Sequence, residues 1–284
     1  MPTKVNILTD GLAFPEGPVF DPAGDLWCVE LQGGGLIRWR DGEVERFTTG
    51  GAPNGAAVDR QGRIWFCDSG DDVNAIRRLL PGSGTVETIC EYAGGRRISK
   101  PNDLAFDTAG NCIFTCPQYT PDQPPSFVCC LRPDGEATVI AEPFKFCNGL
   151  AFTDGDQTLI VAETQTSRLW KGPWDAAACQ WLDPKPWADV SAPDDGPGGP
   201  DGIAFGADGV LYVAVYGGGQ IRAVDADGAV VKTHDLPGRN PTNCAFDPAG
   251  KLGLVVTESE NGLLLSLPNL GPGAPLFDGG RAWA

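Results

Sequence analysis

A short segment recurs six times along the chain, and it constrains the fold more than any other sequence feature. Each copy has a polar residue, usually a glycine next, three or four apolar residues, a turn built on glycine, and then a second apolar run. The polar residues that open the copies are Glu16, Asn54, Asn102, Asn148, Asp201 and Thr242. Successive copies lie about 45 residues apart, which is the length of a four-stranded propeller blade. The repeat therefore predicts an all-β fold, a six-bladed β-propeller of four-stranded blades that forms a single domain over residues 1–284.

The remaining strands of each blade follow from weaker apolar runs. The second strands are predicted at residues 26–29, 64–67, 112–115, 159–162, 211–214 and 254–257. Third and fourth strands, joined by hairpins that contain glycine, are predicted at residues 36–39, 44–48, 75–80, 86–90, 127–132, 137–141, 220–224 and 230–234. Blade four is expected to end in a long loop over residues 184–200, with a helical turn at 175–178. A proline-rich insertion between residues 111 and 126 is expected to lie over one face of the ring.

The N-terminal segment predicts how the ring closes. Residues 7–16 match residues 139–148, the approach to blade four, position for position. The second segment is expected to be an outermost strand that returns to the next inner strand. No blade precedes the first segment, so we expect it to join the last blade, where it would also cover an exposed sheet edge. The alternative closure uses residues 274–277 as that outer strand.

Composition narrows the classes of partner and compartment. The net charge is −16, and no basic stripe is present to neutralise phosphates, so a nucleic-acid partner is not expected. The chain has no apolar run of signal length and none near the ~18 residues of a membrane span, which predicts a cytoplasmic protein without a membrane partner.

The ten cysteines mostly replace apolar residues in strands, and no Cys-x-x-Cys pair occurs. This usage is typical of reduced core thiols, with a thiol cluster in blade three as the alternative. The oligomeric state stays open.

The polar residues that open the repeats suggest a metal site. Inner strands of a propeller line the central channel, so these residues should converge on its axis. Asparagine or aspartate before glycine also makes ordinary turns, which would explain any single copy. Glu16, however, is a poor turn former, and it would repel Asp201 in a narrow channel unless both are protonated or bind a cation. Two carboxylates with amide oxygens make an all-oxygen site that suits Ca²⁺ or Mg²⁺ and accepts Mn²⁺. The one histidine, His234, lies on a predicted outer strand.

Four segments around these residues resemble the marker motifs of the gluconolactonase/regucalcin (senescence marker protein, SGL) family. They are Pro15-Glu16-Gly17-Pro18, Lys100-Pro101-Asn102-Asp103-Leu104, Cys147-Asn148-Gly149-Leu150-Ala151-Phe152 and Gly199-Pro200-Asp201-Gly202-Ile203-Ala204. The resemblance spans essentially the whole chain. It implies one catalytic divalent metal ion, with Ca²⁺ preferred and Mg²⁺, Mn²⁺ or Zn²⁺ as alternatives, held by Glu16, Asn148 and Asp201. It further implies that Asp201 doubles as the general base, that Asn102 completes the ligand shell or orients substrate, and that Asn54 lines the pocket.

The chain departs from the family pattern at positions that we expect to shape the substrate pocket. Bacterial relatives tend to have a histidine after the second strand of blade two, where this chain has Ser69 and its neighbours. They also tend to have Thr-Asp-Pro-Pro-Tyr in blade three, against the run that ends here at Tyr119. Regucalcin has an arginine where this chain has Lys100. Lys100, Ser69 and Tyr119 are therefore predicted to bind substrate together with Asn102 and Asn54, and the identity of the lactone stays open.

These features favour metal-assisted hydrolysis of a small-molecule lactone, a sugar-acid (aldono-) lactone in the first instance. The cation would polarise the ring carbonyl while Asp201 removes a proton from the attacking water. Because a carboxylate bound to a dication is a weak base, metal-bound water is the other candidate for that role. One alternative is a metal-dependent phosphotriesterase or other esterase on the same site. The other is a non-catalytic calcium- or ligand-binding propeller. A serine nucleophile is not supported, since the chain lacks Gly-x-Ser-x-Gly.

Overall fold

Antiparallel strands make up nearly all of the regular structure in the computed structural model, which describes residues 3–153 and 155–276. In chain order the strands are β1 (Asn6–Thr9), β2 (Pro15–Phe20), β3 (Leu26–Glu30), β4 (Gly35–Arg40), β5 (Glu43–Thr48), β6 (Pro53–Val58), β7 (Ile64–Ser69), β8 (Asn74–Leu80), β9 (Thr85–Cys90), β10 (Tyr92–Ala93), β11 (Arg96–Arg97), β12 (Leu104–Phe106), β13 (Cys112–Cys116), β14 (Ser126–Leu131), β15 (Ala137–Phe144), β16 (Cys147–Thr153), β17 (Thr158–Glu163), β18 (Arg168–Asp175), β19 (Gln180–Trp181), β20 (Lys185–Asp189), β21 (Gly199–Phe205), β22 (Leu211–Tyr216), β23 (Gln220–Val224), β24 (Val230–Asp235), β25 (Pro241–Phe246), β26 (Leu254–Glu258) and β27 (Leu263–Leu267). A three-residue 3₁₀ helix, Thr164–Thr166, lies between β17 and β18. Within these described residues, no helix is long and apolar enough to cross a membrane.

The sheets follow one another along the chain as six propeller blades, as the repeat predicts. Strands pair in the order β2-β3-β4-β5 in blade one, β6-β7-β8-β9 in blade two, β12-β13-β14-β15 in blade three and β21-β22-β23-β24 in blade five. In blade four, β16, β17 and β18 are followed by β20, while the short β19 extends the end of β18. The first strand of each blade contacts the first strands of its neighbours, as β2 does with β6 and β25. These inner strands therefore surround the central channel.

Apolar side chains pack between neighbouring blades. The described residues form six hydrophobic clusters, one for each pair of adjacent blades. Trp27 of blade one, for example, packs in one cluster with Phe66 of blade two, and Trp65 of blade two packs in the next with Phe114 of blade three. All four side chains are fully buried. Burial of apolar area at roughly 25 cal/mol per Å² thus stabilises the ring as a whole and holds the inner strands in register.

The N-terminal segment closes the ring. Strand β1 pairs antiparallel with β27, which places Ile7 opposite Leu265. Blade six is therefore β25-β26-β27-β1, and the predicted closure is confirmed. Residues 272–274 lie instead beside the inner strand of blade five, where the Ala274 N–H donates to the Phe205 carbonyl at 2.8 Å. The alternative closure is wrong for its described part, and Phe277 lies outside the described residues.

Three local expectations are wrong. Strand β20 lies inside the segment 184–200 that was predicted to be a loop, and it forms the outer strand of blade four by pairing with β18. Pro186 lies within this strand. An edge strand tolerates proline because the proline nitrogen, which has no hydrogen to donate, can face solvent and not a neighbouring strand. The expected turn at 175–178 belongs to the hairpin between β18 and β19 rather than to a helix. The proline-rich insertion begins only at residue 117, not 111, because residues 112–116 form β13, which confirms the second strand predicted for blade three.

The cysteines are core residues. All ten are buried and free, as expected for reduced thiols. Cys67, Cys116 and Cys129 pack in the same cluster between blades two and three, among apolar side chains. Burial raises the pKa of the Cys67 and Cys116 thiols well above the usual range, so neither is poised as a thiolate.

Candidate functional site

Five of the six polar residues predicted at the channel are buried together at one end of it. The exposed fractions are 3% for Glu16, 3% for Asn54, 5% for Asn102, 4% for Asn148 and 7% for Asp201. Each residue lies within two positions of the start of an inner strand. Because every blade begins with its inner strand, these strands run in the same direction and equivalent positions meet at the same end of the channel.

Close approach of the inner strands explains the glycines that follow four of these residues. The Gly55 N–H donates to the Asn102 carbonyl at 2.6 Å, which joins the inner strands of blades two and three. A Cβ atom on Gly55 would collide with Asp103, and one on Gly202 would collide with Asn243. Glycine is therefore required here by packing around the channel and not only by turn geometry.

The channel carboxyls have raised pKa values. Burial raises the pKa of Glu16 to about 8, and the Asp103 carboxyl adds to this effect. Burial also raises the pKa of Asp201 well above its usual range, with Glu16 and then Asp103 as further causes, while a hydrogen bond from Asn148 opposes the shift. Carboxyls that face one another in a buried channel are stabilised as anions by a nearby cation, and otherwise they hold protons.

The amides at this end have oxygens left over for a ligand. Asn148 Nδ2 donates to Thr164 Oγ1 at 3.1 Å, and the same side chain hydrogen-bonds Asp201. Asn102 Nδ2 donates to the Tyr119 hydroxyl at 3.3 Å. Neither Oδ1 atom accepts a hydrogen bond within the described residues, so both are available as acceptors. Asn54 Oδ1 is buried and has no hydrogen-bond partner in the described part of the chain.

This donor set fits a hard divalent cation. Glu16 and Asp201 supply carboxylate oxygens and Asn102 and Asn148 supply amide oxygens, which are the ligands that Ca²⁺ prefers. Among residues 3–153 and 155–276, no group of three or more His, Cys, Asp or Glu side chains is placed to share a metal ion. A cation at this site would therefore depend on the amides as well as on two carboxylates. The nitrogen and sulfur ligands typical of zinc are not part of the set.

The predicted substrate-binding residues border the same end of the channel, but protein partners already engage their polar groups. Lys100 Nζ donates to the Ser69 carbonyl and to the Asp71 carboxylate, both at 2.8 Å. The Ser69 hydroxyl donates to a backbone carbonyl at 3.0 Å. The Tyr119 hydroxyl meets Asn102, while 48% of the Tyr119 residue surface remains exposed. Tyr119 thus extends from the site to solvent.

Thr242, which opens the repeat of blade six, was expected to point into the channel, but its hydroxyl is used elsewhere. The Thr242 hydroxyl donates to the Pro15 carbonyl at 2.7 Å, so this side chain joins blade six to blade one. The next residue, Asn243, enters the channel instead and meets Asp103 from blade three. Sequence reasoning missed Asp103 and Asn243. The available signal was that these two positions are glycine in the other four copies.

Beyond Asp103 and Asn243 the channel widens into a cavity of about 900 Å³. Its walls are mainly apolar side chains of the inner strands, such as Val19, Phe152 and Phe246. The five buried residues at the polar end do not line it. Asp103 and Asn243 therefore separate the polar end of the channel from an apolar one.

Comparison with known proteins agrees with the propeller fold and with the family resemblance. The family model described as SMP-30/Gluconolactonase/LRE-like region matches residues 14–260. The chain belongs to this family. A family relative, diisopropyl-fluorophosphatase from Loligo vulgaris, is 32% identical over 295 residues that cover 91% of this chain and 89% of the relative. Gluconolactonase from Zymomonas mobilis is 25% identical, with 91% and 80% covered. The solved structure of a gluconolactonase from Xanthomonas campestris has a TM-score of 0.81 at 29% identity, and the match covers 94% of this chain and 89% of that one.

Proposed function

We propose that the chain is a divalent-metal-dependent lactonase, a hydrolase that opens the ester ring of a small-molecule lactone. The observation that carries the proposal is the buried pair Glu16 and Asp201, whose carboxyls repel each other beside two amides with unused oxygens. A dication would relieve that repulsion and occupy those oxygens. Relatives named gluconolactonase, at 25% and 29% identity over most of the chain, support the choice of a lactone as substrate.

The residues of this chain divide the chemical work as follows. Glu16, Asp201 and the Oδ1 atoms of Asn102 and Asn148 would hold the cation. When bound, the cation would polarise the lactone carbonyl and stabilise the negative charge that develops on its oxygen. Asp201 would accept a proton from the attacking water, whose oxygen bonds to the carbonyl carbon. The ring C–O bond then breaks, the ring oxygen takes up the proton, and the product is a hydroxy acid.

We further propose a sugar-acid lactone as substrate and the cytoplasm as compartment. The unpartnered Asn54 Oδ1 is a buried acceptor that a ring hydroxyl could satisfy. Lys100, Ser69 and Tyr119 border the same end of the channel and would contact the rest of the substrate. Ten buried, free cysteines suit a reducing compartment.

A panel of substrates with and without metal tests the proposal. Purified protein is treated with EDTA, and hydrolysis of an aldonolactone, an unsubstituted lactone and a phosphotriester is followed before and after addition of Ca²⁺, Mg²⁺, Mn²⁺ or Zn²⁺. We expect aldonolactone hydrolysis that EDTA abolishes and a divalent ion restores. Turnover of the phosphotriester alone would replace the lactonase assignment with the esterase alternative. Tight Ca²⁺ binding without turnover of any substrate would indicate a binding propeller.

A further inference from the structure

Asn243 connects three blades at the base of the candidate site. It lies on β25, the inner strand of blade six, and its Nδ2 donates to Asp103 Oδ2 of blade three at 3.3 Å. The Asn243 amide also faces the Glu16 carboxyl of blade one, where it lowers the pKa of Glu16 against the effect of burial. One amide is thus placed between two buried carboxyls that would otherwise face each other directly.

The orientation of this amide is fixed by its own backbone. Asn243 Oδ1 accepts the Cys244 N–H at 2.8 Å, so Nδ2 is the end that faces the carboxyls. Asp103 is held in the same way, since its Oδ1 accepts the Leu104 N–H at 2.9 Å. Glu16 Oε2 likewise accepts the Gly17 N–H at 2.7 Å. All three side chains are therefore held by the next residue of their own strand and linked to one another across the channel.

Packing leaves these side chains little freedom to rearrange. Asn243 and Asp103 are each 7% exposed. Asn243 lies directly against Gly202 and Asp103 against Gly55, at positions where any Cβ would collide. A substitution at Asn243 would therefore change the positions of the neighbouring carboxyls, because the packed surroundings cannot rearrange to compensate.

We propose that Asn243 is a positioning residue of the metal site, which holds the Glu16 carboxylate in place for the cation by means of an amide that also ties down Asp103. The inference rests on the proposed function, since it takes Glu16 to be a metal ligand. Without the amide, two buried carboxyls would lose a donor and repel each other, and Glu16 would no longer be held in one orientation. Loss of a residue that orients a metal ligand typically lowers metal affinity by about 10–100-fold.

Calcium titration of matched variants tests this role. Asn243→Leu removes the donor at nearly constant volume, and Asn243→Ala is the second variant should the leucine fail to fold. Asn111→Leu is the control, because Asn111 is also buried and its Nδ2 also donates to an aspartate, Asp107, at 2.7 Å, but outside the candidate site. Calorimetry with Ca²⁺ alone gives the affinity, and thermal unfolding in EDTA gives the stability of the metal-free protein.

The outcomes separate positioning from general stability. We expect Ca²⁺ affinity to fall about 10–100-fold in the Asn243 variants. Asn111→Leu should lower the unfolding temperature and leave the affinity unchanged. Affinity within threefold of wild type in a folded Asn243 variant would overturn this inference and leave the proposed function intact. Absence of divalent-ion binding by the wild-type protein would overturn both.

Discussion

Asp59 and Asp201 are both buried aspartates of the six-fold repeat, yet their surroundings are opposite in kind. Asp59 Oδ1 accepts two backbone N–H groups of the turn that follows it, each at 3.0 Å. Its Oδ2 accepts Arg63 Nε at 2.6 Å and Trp65 Nε1 at 2.8 Å. Asp201 receives a hydrogen bond from Asn148 and faces two other carboxyls, Glu16 and Asp103.

The difference shows that burial of a carboxylate does not by itself mark a functional site. Glu258 is fully buried at the end of its strand, where it accepts the backbone N–H groups of Asn240, Glu260 and Asn261. Such carboxylates are satisfied by the fold and stabilise it. At the polar end of the channel the fold supplies too few donors, so the carboxyls there lower stability until a proton or cation arrives. The shortage of donors, rather than burial, distinguishes the candidate site.

Substitution of Asp201 should have the largest effect on activity. Asp201→Asn keeps an oxygen that can coordinate but cannot accept the proton of the attacking water. We expect turnover to fall by about 10²–10⁴-fold even at saturating metal, the usual range for loss of a general base. Steady-state kinetics at increasing Ca²⁺ measures this.

The matched change at the turn sharpens the contrast. Asp59→Asn replaces an acceptor-only group facing N–H donors, so it should lower the unfolding temperature while turnover per folded molecule stays near wild type. Full recovery of Asp201→Asn at saturating metal would mean that Asp201 is only a ligand, and the base would have to be found elsewhere. Loss of turnover in Asp59→Asn without loss of stability would contradict the division into two kinds of carboxylate.

Substitution of Glu16 should act on metal binding. Glu16→Gln removes one of the two charges that would balance the dication. We expect Ca²⁺ affinity to fall by at least the ~10–100-fold seen when a group behind a ligand is lost. Calorimetric titration decides it, with Glu30→Gln as the control, since Glu30 is also a buried glutamate of blade one but accepts the Ala13 N–H and pairs with Arg46. Unchanged affinity in Glu16→Gln would remove Glu16 from the ligand set.

The raised pKa of Glu16 predicts an unusual pH dependence for the metal-free protein. The pKa of Glu16 is about 8 in the fold, against an ordinary value of 4.5. Between these values the folded state holds a proton that the unfolded state has lost, so its contribution to stability is complete below pH 4.5 and is lost as pH rises through 8. The slope is about −1.4 kcal/mol per pH unit for one proton. Denaturant unfolding in EDTA should show that the free energy of unfolding falls from pH 5 to pH 8. The fall should be smaller in Glu16→Gln, and Ca²⁺ should reverse it. An identical slope in Glu16→Gln would assign the effect to other groups.

The sequence was sufficient to predict the ring because its signal is periodic. Six copies at a regular spacing predict six inner strands, and the match of residues 7–16 to 139–148 predicts closure by β1. Strand β20 was missed because its sequence, Lys-Pro-Trp-Ala-Asp, has only one large apolar residue, so no apolar run marks it. Its position is set by pairing with β18, which is a property of the folded sheet.

Burial of polar residues in the channel was predictable only where the repeat itself carries the polar residue. The repeat places Glu16, Asn54, Asn102, Asn148 and Asp201 at equivalent positions, and all five are buried in the ring. The link between Asp103 and Asn243 depends on which blades lie across the channel from each other, and 140 positions separate the two residues in the chain. No local pattern encodes that partnership.

Substitution of Tyr119 should have the smallest effect, and it tests where the candidate metal site ends. Tyr119→Phe removes the hydroxyl that accepts a long hydrogen bond, 3.3 Å, from Asn102 Nδ2. Tyr119 itself is half exposed. Such a bond contributes about 0.5–1.5 kcal/mol, so we expect a change of roughly two- to twelvefold, seen in KM or in the preference among lactones. Ca²⁺ affinity should stay within about threefold, because Tyr119 adds no charge to the donor set. Parallel lactone kinetics and calcium titration of Tyr119→Phe and wild type measure both. A tenfold loss of Ca²⁺ affinity would instead show that Tyr119 holds Asn102 for the cation and belongs with the carboxyl end of the channel.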